Sequence, residues 1–593
     1  MIGILLNVFY QPYLKLLLQE VEKMSDSFKV RALEIHDSVA IWNLAKIRRV
    51  LDFMVKNDMN TLIFHENEIV DKVVYPGILY GASEKIKNTY EIYKNIFHTI
   101  YDIKPIPFVF VAEKLIFRDL LKIIIGEAVK LDIKVYLQNK ELWFPEIIYE
   151  SKLAKNGVVC PSEPFWWEEY LPAKYTELME NFPELAGLVT STATRESKAS
   201  PAHNKCHCEK CQSLKFNEWQ KNITMAIYKP LKQAGKNLVI RDFTFFSNEQ
   251  AGVKNGIINL PDDIIISIKN TPQDFYPTYS HNPLLGKVGK HEQWIEYDVM
   301  GEYFGFGVTP CILLKDIKAR MKYDLEKGAI GFTARIDWEV LPNHACFDTP
   351  NLLNLYGVAH LAKNTDLPLR DIYYRWLTEE KLIQDGLSPE ELKKCLEQVM
   401  DIFEQTWPVI AKTLYINGFV FNYNSKIPVS IANSDYLAKE LHGMQKWFPE
   451  KEKDFAITAE NVEKFLAEKE QAVREIEELY NKLKDSNPGL KPNVYQTFVE
   501  QFSIFKIYVK MYELVGKTYV LIKYLQEKGK DVKLASNKPV TETTKQILKE
   551  LKKLEEQLDN CVFPVYNYPA KLLLSSERIR CFREDAEQVF QTI

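Results

Sequence analysis

QAGKNLVIRDFTFF, residues 233–246, joins a helix-ending turn directly to a strand-like run, and this junction decides the fold. Gly235 suits the left-handed backbone at which helices end, while the run from Asn237 onward is rich in the β-branched and aromatic residues that strands prefer. Similar junctions precede three other apolar runs, at KNDMN before Thr61, KLD before Ile133 and EKG before Ala329. Their recurrence predicts helices and strands that alternate along the chain.

Eight strand-like runs separated by amphipathic stretches account for the first part of the chain. They are Val30–His36, Thr61–His65, Ile133–Gln138, Gly187–Thr192, Asn237–Phe246, Ile264–Lys269, Trp294–Met300 and Ala329–Ile336. Eight strands alternating with helices over about 300 residues predict an α/β fold, the (β/α)8 TIM barrel. An open doubly wound sheet is the alternative, but no glycine-rich phosphate-binding turn follows any strand. Phe108–Ala112 is a further apolar run that would make a ninth strand.

The character of the sequence changes at about residue 348, where strand signals stop. Long runs of helical period follow at Thr458–Lys484, Asn493–Lys528 and Glu542–Leu558. A chain of 593 residues is also too long for one core, because single cores stop growing near about 250–300 residues. We therefore expect an N-terminal helical segment at 1–28, the barrel at 29–347 and an α-helical C-terminal domain at 348–593. The exposed helices of that domain would suit a homodimer.

Composition narrows the class of protein. The net charge of −4 provides no basic surface for nucleic acid and no polybasic membrane anchor, so neither partner is expected. The N-terminus lacks the basic region and cleavage site of a secretion signal, and no apolar run reaches the length of a membrane span. Nine scattered cysteines favour a reducing compartment. The sequence therefore predicts a cytoplasmic protein.

Three acidic residues follow the predicted strands. Glu196 lies after the fourth strand, Asp274 after the sixth and Glu302 after the seventh. Functional groups of a TIM barrel lie at the carboxyl ends of its strands, so these carboxylates would face one another. Glycoside hydrolysis needs such an arrangement: one acid protonates the leaving oxygen, and one carboxylate activates water or attacks. The alternative for each residue is a solvent-facing loop position or a helix cap, for which Asp274 is suitable.

Four more residues near strand ends are candidates for binding an oligosaccharide substrate. Trp338, after the eighth strand, is placed to stack on a sugar ring. Arg335, Glu66 and His36 are candidates for contacts with substrate, with structural roles as the alternative.

The chain resembles glycoside hydrolase family 67, the α-glucuronidases, in a series of segments that occur in the family's order. IKNTPQDFYPTYSHNPLLG (268–286) is similar to the family's strand-six signature "VKNGPxDFQ…SPLFG". HEQWIEYDVMGEY (291–303) and the segment from IDWEVLPNHACF through NLYGVAHLAKNTDLPL resemble the blocks that follow. The resemblance covers roughly residues 60–400.

The resemblance implies an exo-acting, inverting hydrolase that releases an α-linked uronic acid of the glucuronic type without a cofactor. The general acid falls on Glu196, and Asp274 and Glu302, both ionised, would hold and deprotonate the water. Arg241 and Lys269 match the bases that bind the uronate carboxylate. In inverting enzymes the acid and the base lie about 6.5–9.5 Å apart.

The sequence departs from the family pattern around the acid. The family has a lysine a few residues before it, where this chain has SerThrAlaThrArgGlu; Arg195 is a candidate substitute. The family's "SEGQPGP" after the acid is replaced by a cysteine-containing insertion, and its N-terminal accessory domain has no counterpart.

That insertion, CHCEKC at 206–211, offers Cys206, Cys208 and Cys211. Their spacing resembles half of a zinc ribbon, but a structural zinc site needs four ligands, which His203 or Cys160 would complete. The alternative is a set of reduced, metal-free thiols.

Two other functions remain open at this point. A retaining, hexosaminidase-like barrel would need adjacent acids after the fourth strand, and no Asp-Glu pair appears there. A non-catalytic carbohydrate-binding barrel would differ from an enzyme only in activity.

Overall fold

The computed structural model describes residues 27–74, 107–144, 148–149, 153–192, 196–201, 205–242, 244, 247–563 and 567–593, with side chains of 107–115 excepted. The predicted N-terminal helical segment falls almost wholly outside the described residues, as do Arg195 and His203.

Eight parallel strands close into a barrel, which confirms the predicted fold. They are β1 Val30–Ile35, β2 Thr61–His65, β3 Lys134–Lys140, β4 Gly187–Ser191, β5 Asn237–Asp242, β6 Ile265–Lys269, β7 Gln293–Asp298 and β8 Ala329–Arg335. Each strand pairs with its sequence neighbours, and β1 closes the ring against β8 with Val30 opposite Gly331. Phe108–Ala112 lies inside the helix Pro107–Val129, so the expectation of a ninth strand is wrong.

Helices surround the barrel. They are α1 Leu44–Lys56, α2 Ile69–Val73, α3 Pro107–Val129, α4 Leu171–Asn181, α5 Glu209–Ser213, α6 Phe216–Gln233, α7 Ser247–Ile257 and α8 Leu314–Glu326. The turns that lead into strands use the left-handed backbone expected of them, with φ of 71° at Gly235 and 82° at Gly328. Asp58 and Asp132 adopt the same conformation before β2 and β3, at 55° and 62°.

Helices also dominate the chain after the barrel. They are α9 Leu352–Leu361, α10 Leu369–Glu379, α11 Pro389–Phe403, α12 Thr406–Leu414, α13 Ile431–Asp435, α14 Glu452–Phe455, α15 Ala459–Asp485, α16 Pro492–Lys528, α17 Val540–Asp559, α18 Tyr568–Leu573 and α19 Ser576–Thr592. A hairpin of two-residue strands, Tyr415–Ile416 and Phe419–Val420, interrupts them. Among the helices in the described ranges, none has both the length and the apolar character needed to cross a membrane.

The barrel interior is apolar near the amino ends of the strands and charged nearer their carboxyl ends. One cluster of buried side chains fills the apolar layer: Ala32, Ile63, Tyr136, Val189, Val239, Ile265 and Trp294. Because alternate residues of a strand point to the same face, positions two and four residues further along also point inward. Arg241, Glu296, Lys140 and Lys269 occupy such positions and are buried. The fold therefore places a charged layer beneath the carboxyl-end mouth of the barrel.

Candidate active site

The three predicted carboxylates lie after the carboxyl ends of β4, β6 and β7, and each contacts a different base. Glu196 forms an ion pair with Lys140 at the end of β3. Asp274 Oδ1 lies 2.6 Å from Lys269 Nζ. Glu302 Oε2 lies 2.6 Å from Arg335 Nη2, at the end of β8. The ring of Phe275 links two of these bases, with Lys269 Nζ 4.9 Å and Arg335 Cζ 4.8 Å from its centroid.

The turn after β6 holds Asp274 close to Lys269. Asp274 has a φ of 44°, and its carbonyl oxygen accepts a hydrogen bond of 2.7 Å from Thr271 Oγ1. Burial acts to raise the pKa of Asp274, but the charge and hydrogen bond of Lys269, together with smaller effects of His442 and Arg335, outweigh it, and the pKa lies below its usual value. Asp274 is therefore an ionised carboxylate at neutral pH.

A separate turn after β7 positions Glu302. Asp298 accepts hydrogen bonds from the backbone N–H groups of Met300, Gly301 and Glu302 at 2.9–3.0 Å. Gly301 has a φ of 105°, and a Cβ there would lie 3.0 Å from Asn351 Nδ2. That amide donates to the Met300 carbonyl oxygen at 2.8 Å. The turn is thus fixed from inside the barrel and from the helical region.

Glu302 differs from Asp274 in its protonation. Burial raises the pKa of Glu302 to about 8; Arg335 opposes the shift, and Glu339, Asp274 and Asp298 add to it by repulsion. The sequence predicted an ionised Glu302 beside an ionised Asp274. In the structure the pKa favours a protonated Glu302, because several carboxylates share one buried site and Arg335 does not compensate for all of them.

The loop after β4 is attached to the segment that follows β3. Ser197 Oγ donates to the Glu141 carbonyl oxygen at 2.5 Å, and the backbone N–H of Lys198 donates to the Leu142 carbonyl oxygen at 3.0 Å. Lys198 Nζ donates to the Phe144 carbonyl oxygen at 2.8 Å. These bonds place Glu196 beside Lys140.

Lys140 was not among the predicted site residues, although the alternation of residues in β3 predicts that its side chain points into the barrel. It lies four residues after Tyr136 on the inward face of β3, and the segment IKVYLQNK shows that alternation. The family has a lysine shortly before the acid, where this chain has Ser191 and Thr192. Lys140, on the neighbouring strand, brings an ammonium group to Glu196 instead.

Arg241 is buried inside the barrel and paired with Glu296. Its Nε and Nη2 donate to the two carboxylate oxygens of Glu296 at 2.8 and 2.5 Å. Ser267 Oγ donates to the same carboxylate at 2.6 Å. This bidentate pair occupies the Nε–Nη2 edge of the guanidinium, one of the edges that could otherwise bind a uronate.

His36 and Glu66 both lie at the mouth and are buried against charged partners. His36 Nδ1 lies 3.0 Å from Glu339 Oε2 and 3.3 Å from Arg335 Nη1. Its ring stacks on that of His65 at 3.7 Å. Glu66 forms an ion pair with Lys72. Of the two, only His36 contacts a residue that also contacts a candidate catalytic carboxylate.

Trp338 is only 6% exposed, so it offers little surface to a sugar ring. Its ring lies 5.5 Å from that of Phe306, and Lys426 Nζ lies 5.8 Å from its centroid. Trp143, three residues after β3, is more accessible; its indole donates to Glu68 Oε2 at 3.0 Å, and Lys198 Nζ lies 4.8 Å from the ring.

The helical region contributes directly to the mouth through the turn Tyr423–Lys426. The central residues Asn424 and Ser425 have φ of 46° and 61°, as in a two-residue hairpin turn. Asn424 Nδ2 donates to Glu302 Oε1 at 3.2 Å, and Ser425 Oγ donates to the Glu302 carbonyl oxygen at 2.7 Å. The contact of this turn with Glu302 could not be predicted from sequence, because it spans 122 residues and only the Asn-Ser pair signals a turn.

A second group from the helical region, His442, contacts residues on either side of Asp274. His442 Nδ1 is 3.0 Å from the hydroxyl of Tyr276 and 3.4 Å from Gln273 Nε2. Burial lowers the pKa of His442 to about 4, against the attraction of Asp274. A neutral imidazole therefore supports the turn that carries Asp274.

Two groups of described residues bring metal-ligating atoms within 4.8 Å of one another. One is Cys160 with Cys206, Cys208 and Cys211. The other is Glu34, His36 and His65, where the two imidazole planes are parallel within 2° and 3.7 Å apart. Because a ring-nitrogen lone pair lies in the ring plane, parallel stacked rings do not converge on one ion. Of these two groups of described residues, the four cysteines have the arrangement suited to one ion.

Comparisons with known proteins agree with this architecture. A sequence model described as the glycosyl hydrolase family 67 middle domain matches residues 164–335, a range that contains Glu196, Asp274 and Glu302. No curated protein matches the chain by sequence.

Among solved structures, a GH138 enzyme targeting pectin rhamnogalacturonan II has a TM-score of 0.55 at 13% identity, covering 90% of this chain and 62% of that one. The chain thus spans less than two thirds of that relative. A Thermobaculum terrenum O-GlcNAc hydrolase mutant has a TM-score of 0.43 at 12% identity, covering 95% of each chain. The predicted resemblance to glycoside hydrolase family 67 is confirmed for residues 164–335, the part of the barrel that carries all three candidate carboxylates.

Proposed function

We propose that this protein is an exo-acting, inverting glycoside hydrolase that releases an α-linked uronic acid of the glucuronic type from an oligosaccharide. The observation that carries the proposal is the set of three carboxylates at one barrel mouth, each paired with its own base. The match to a glycosidase family over the same residues supports it. A barrel that only bound carbohydrate would not need carboxyl groups held in different protonation states.

Asp274 is the proposed general base. Its lowered pKa leaves an ionised oxygen that removes a proton from water as the water oxygen bonds to the anomeric carbon. Glu196 is the proposed general acid and donates its proton to the leaving oxygen as the glycosidic bond breaks. The products are the free sugar of inverted configuration and the shortened alcohol. Glu302, with its raised pKa, holds the water by a hydrogen bond and limits repulsion beside Asp274.

Lys140 and Arg335 are the proposed contacts of the uronate carboxylate. Both bases are inward-facing at the ends of strands, and each pairs with a catalytic candidate. Of the two bases expected from the family resemblance, Arg241 is already engaged by Glu296 and Lys269 by Asp274. A substrate carboxylate that pairs with Lys140 would replace Glu196 as its partner. The ammonium group proposed to bind the charged sugar is thus also the group that contacts the proposed acid.

The test is a screen of the wild type against aldouronic oligosaccharides and a panel of neutral, amino and uronic aryl glycosides, with NMR of the first-formed anomer. Glu196→Gln and Asp274→Asn are measured beside Glu218→Gln and Asp262→Asn, which alter exposed carboxylates in surface ion pairs. From oligosaccharides, we expect a uronic acid of inverted configuration from the wild type and both controls only; Glu196→Gln should retain activity only on aryl glycosides whose leaving group needs no proton. A retained anomer, activity confined to neutral or amino sugars, or no hydrolysis would contradict the proposal.

Lys140→Met tests the sugar preference separately. We expect it to lower kcat/KM for a uronoside by about 10–100-fold, the range of a lost charge-assisted hydrogen bond, and to affect a neutral glycoside less. Lys290→Met, which removes an ammonium group from an exposed pair, is the matched control. Equal losses on charged and neutral sugars would show that Lys140 does not bind the carboxylate.

A further inference from the structure

The loop that follows β4 carries three cysteines whose side chains meet a fourth from a distant segment. Cys160 lies in the connection between β3 and β4, about fifty residues before Cys208 and Cys211. Its Sγ is 3.7 Å from that of Cys208 and 3.3 Å from that of Cys211. All four sulfur atoms, including that of Cys206, lie within 4.8 Å of one another.

These separations suit a single thiolate-bound ion. Four sulfurs around a zinc ion at about 2.3 Å form a tetrahedron with edges of about 3.8 Å. A disulfide would need a sulfur–sulfur distance of about 2.0 Å, and none of the four cysteines is in one. An iron–sulfur cluster would hold its thiolates further apart, because the cluster atoms lie between them.

The surroundings fix the cluster before any ion binds. The buried indoles of Trp166 and Trp219 donate to the carbonyl oxygens of Cys160 and Pro161 at 3.0 and 2.9 Å. On the other side, Cys208 caps the short helix α5, and its Sγ accepts from the backbone N–H of Cys211 at 3.5 Å. Such N–H···S contacts stabilise thiolates and orient metal ligands.

We propose that Cys160, Cys206, Cys208 and Cys211 bind one structural zinc ion. With all four positions filled by protein sulfur, no coordination site is left open for water or substrate, so the role is structural. The ion replaces the protons of the four thiols and joins the loop after β4 to the β3–β4 connection. Glu196 lies on this loop, ten residues before Cys206. The consequence for catalysis, a loop held in place for the acid, rests on the proposed function; zinc binding does not.

The test begins with the metal content of the full chain, expressed with added zinc and purified under reducing conditions. We expect about one zinc per chain by mass spectrometry, and a large loss of zinc in Cys208→Ser and Cys160→Ser. Cys561→Ser and Cys581→Ser, at exposed cysteines, should retain the wild-type content. Less than about a tenth of an equivalent in the wild type, unchanged zinc in the cluster variants, or iron in place of zinc would overturn the assignment.

Two measurements on the wild type keep the test valid if a cluster variant fails to fold. Cobalt(II) exchanged for zinc should give the absorption of a tetrahedral thiolate site. Zinc removal by a chelator should speed tryptic cleavage at the exposed Lys205 and Lys210. An octahedral cobalt spectrum, or cleavage that is insensitive to zinc, would contradict the proposal. Bound zinc without glycosidase activity would leave this site intact and reject the proposed function.

Discussion

The two sides of the barrel mouth are constructed differently. On one side, the side chains of Asp274 and Glu302 are 13% and 5% exposed and are held by turns that pack against the helical region. On the other side, Glu196 is 37% exposed, and its loop is attached through backbone bonds to the segment after β3. Asp274 and Glu302 thus contact their bases inside a buried site, while Glu196 contacts Lys140 at a position that is partly open to solvent.

This difference in burial fits the different roles proposed for the two sides. A water-activating pair needs a fixed geometry and one dependable ionised oxygen, which a rigid buried site provides. An acid that must receive and release an aglycone needs access to solvent. The comparison predicts that changes on the buried side have large effects on every substrate, whereas changes on the exposed side depend on the leaving group.

The largest effect is expected from Asp274→Asn. The amide keeps the shape of the side chain but cannot accept the proton from water, so kcat should fall by about 10³-fold or more on all substrates. The measurement is kcat on an oligosaccharide and on an activated aryl glycoside, with Asp262→Asn as control. A variant that retains activity on either substrate would remove Asp274 from the role of base.

Glu196→Gln should show the leaving-group dependence. We expect a loss of about 10²–10⁴-fold on an oligosaccharide, whose leaving alcohol needs a proton. On an aryl glycoside with an acidic phenol the loss should be small, because that leaving group departs without protonation. The slope of log kcat against leaving-group pKa, compared with Glu218→Gln, measures this. Equal losses on both substrates would indicate that Glu196 is not the acid.

Glu302→Gln should change how stability depends on pH. The pKa of Glu302 is about 8 in the folded protein and about 4.3 in the unfolded chain, so folding takes up a proton between these values. The corresponding stability is present below about pH 4 and is lost as pH rises toward 8. Gln has no such proton to lose. Relative to the wild type, the variant should gain about 3–4 kcal/mol between pH 5 and pH 8.

The measurement for Glu302 is the free energy of unfolding by denaturant at both pH values. Glu218→Gln, at an exposed position, serves as the reference for the loss of a carboxylate. A constant difference between the wild type and Glu302→Gln across this range would show that Glu302 is ionised in the folded protein, as the sequence analysis had expected.

The barrel could be predicted from sequence because its signals are local. The turn at Gly235 and the strand that begins at Asn237 lie next to each other, and the same junction recurs before other strands. The apolar run Phe108–Ala112 was ambiguous because a short run cannot distinguish a strand from part of a buried helix. The neighbouring residues, up to Val129, decide in favour of the helix.

The site could be predicted only where a residue's role follows from its own strand. The positions of Asp274 and Glu302 after β6 and β7 follow from strand order. The pairing of Arg241 with Glu296, and of Lys140 with Glu196, depends on side chains from different strands, which no local pattern records. The pKa of Glu302 depends on four neighbours brought together by folding, so its charge state was beyond a reading of the sequence.

The smallest of the expected effects comes from Asn424→Gly, which tests whether the helical region helps to position Glu302. Glycine adopts the φ of 46° at this position more readily than asparagine, so the turn Tyr423–Lys426 should persist. The variant loses the hydrogen bond of 3.2 Å from Asn424 Nδ2 to Glu302 Oε1. We expect kcat/KM to fall by about tenfold, equivalent to about 1.4 kcal/mol, with little change in melting temperature.

Asn487→Gly, which removes an amide from a turn remote in sequence, is the matched comparison. An unchanged rate would mean that the barrel alone positions Glu302, and that the helical region only covers the mouth. A fall in rate without loss of stability would instead show that the turn from the helical region helps to position Glu302.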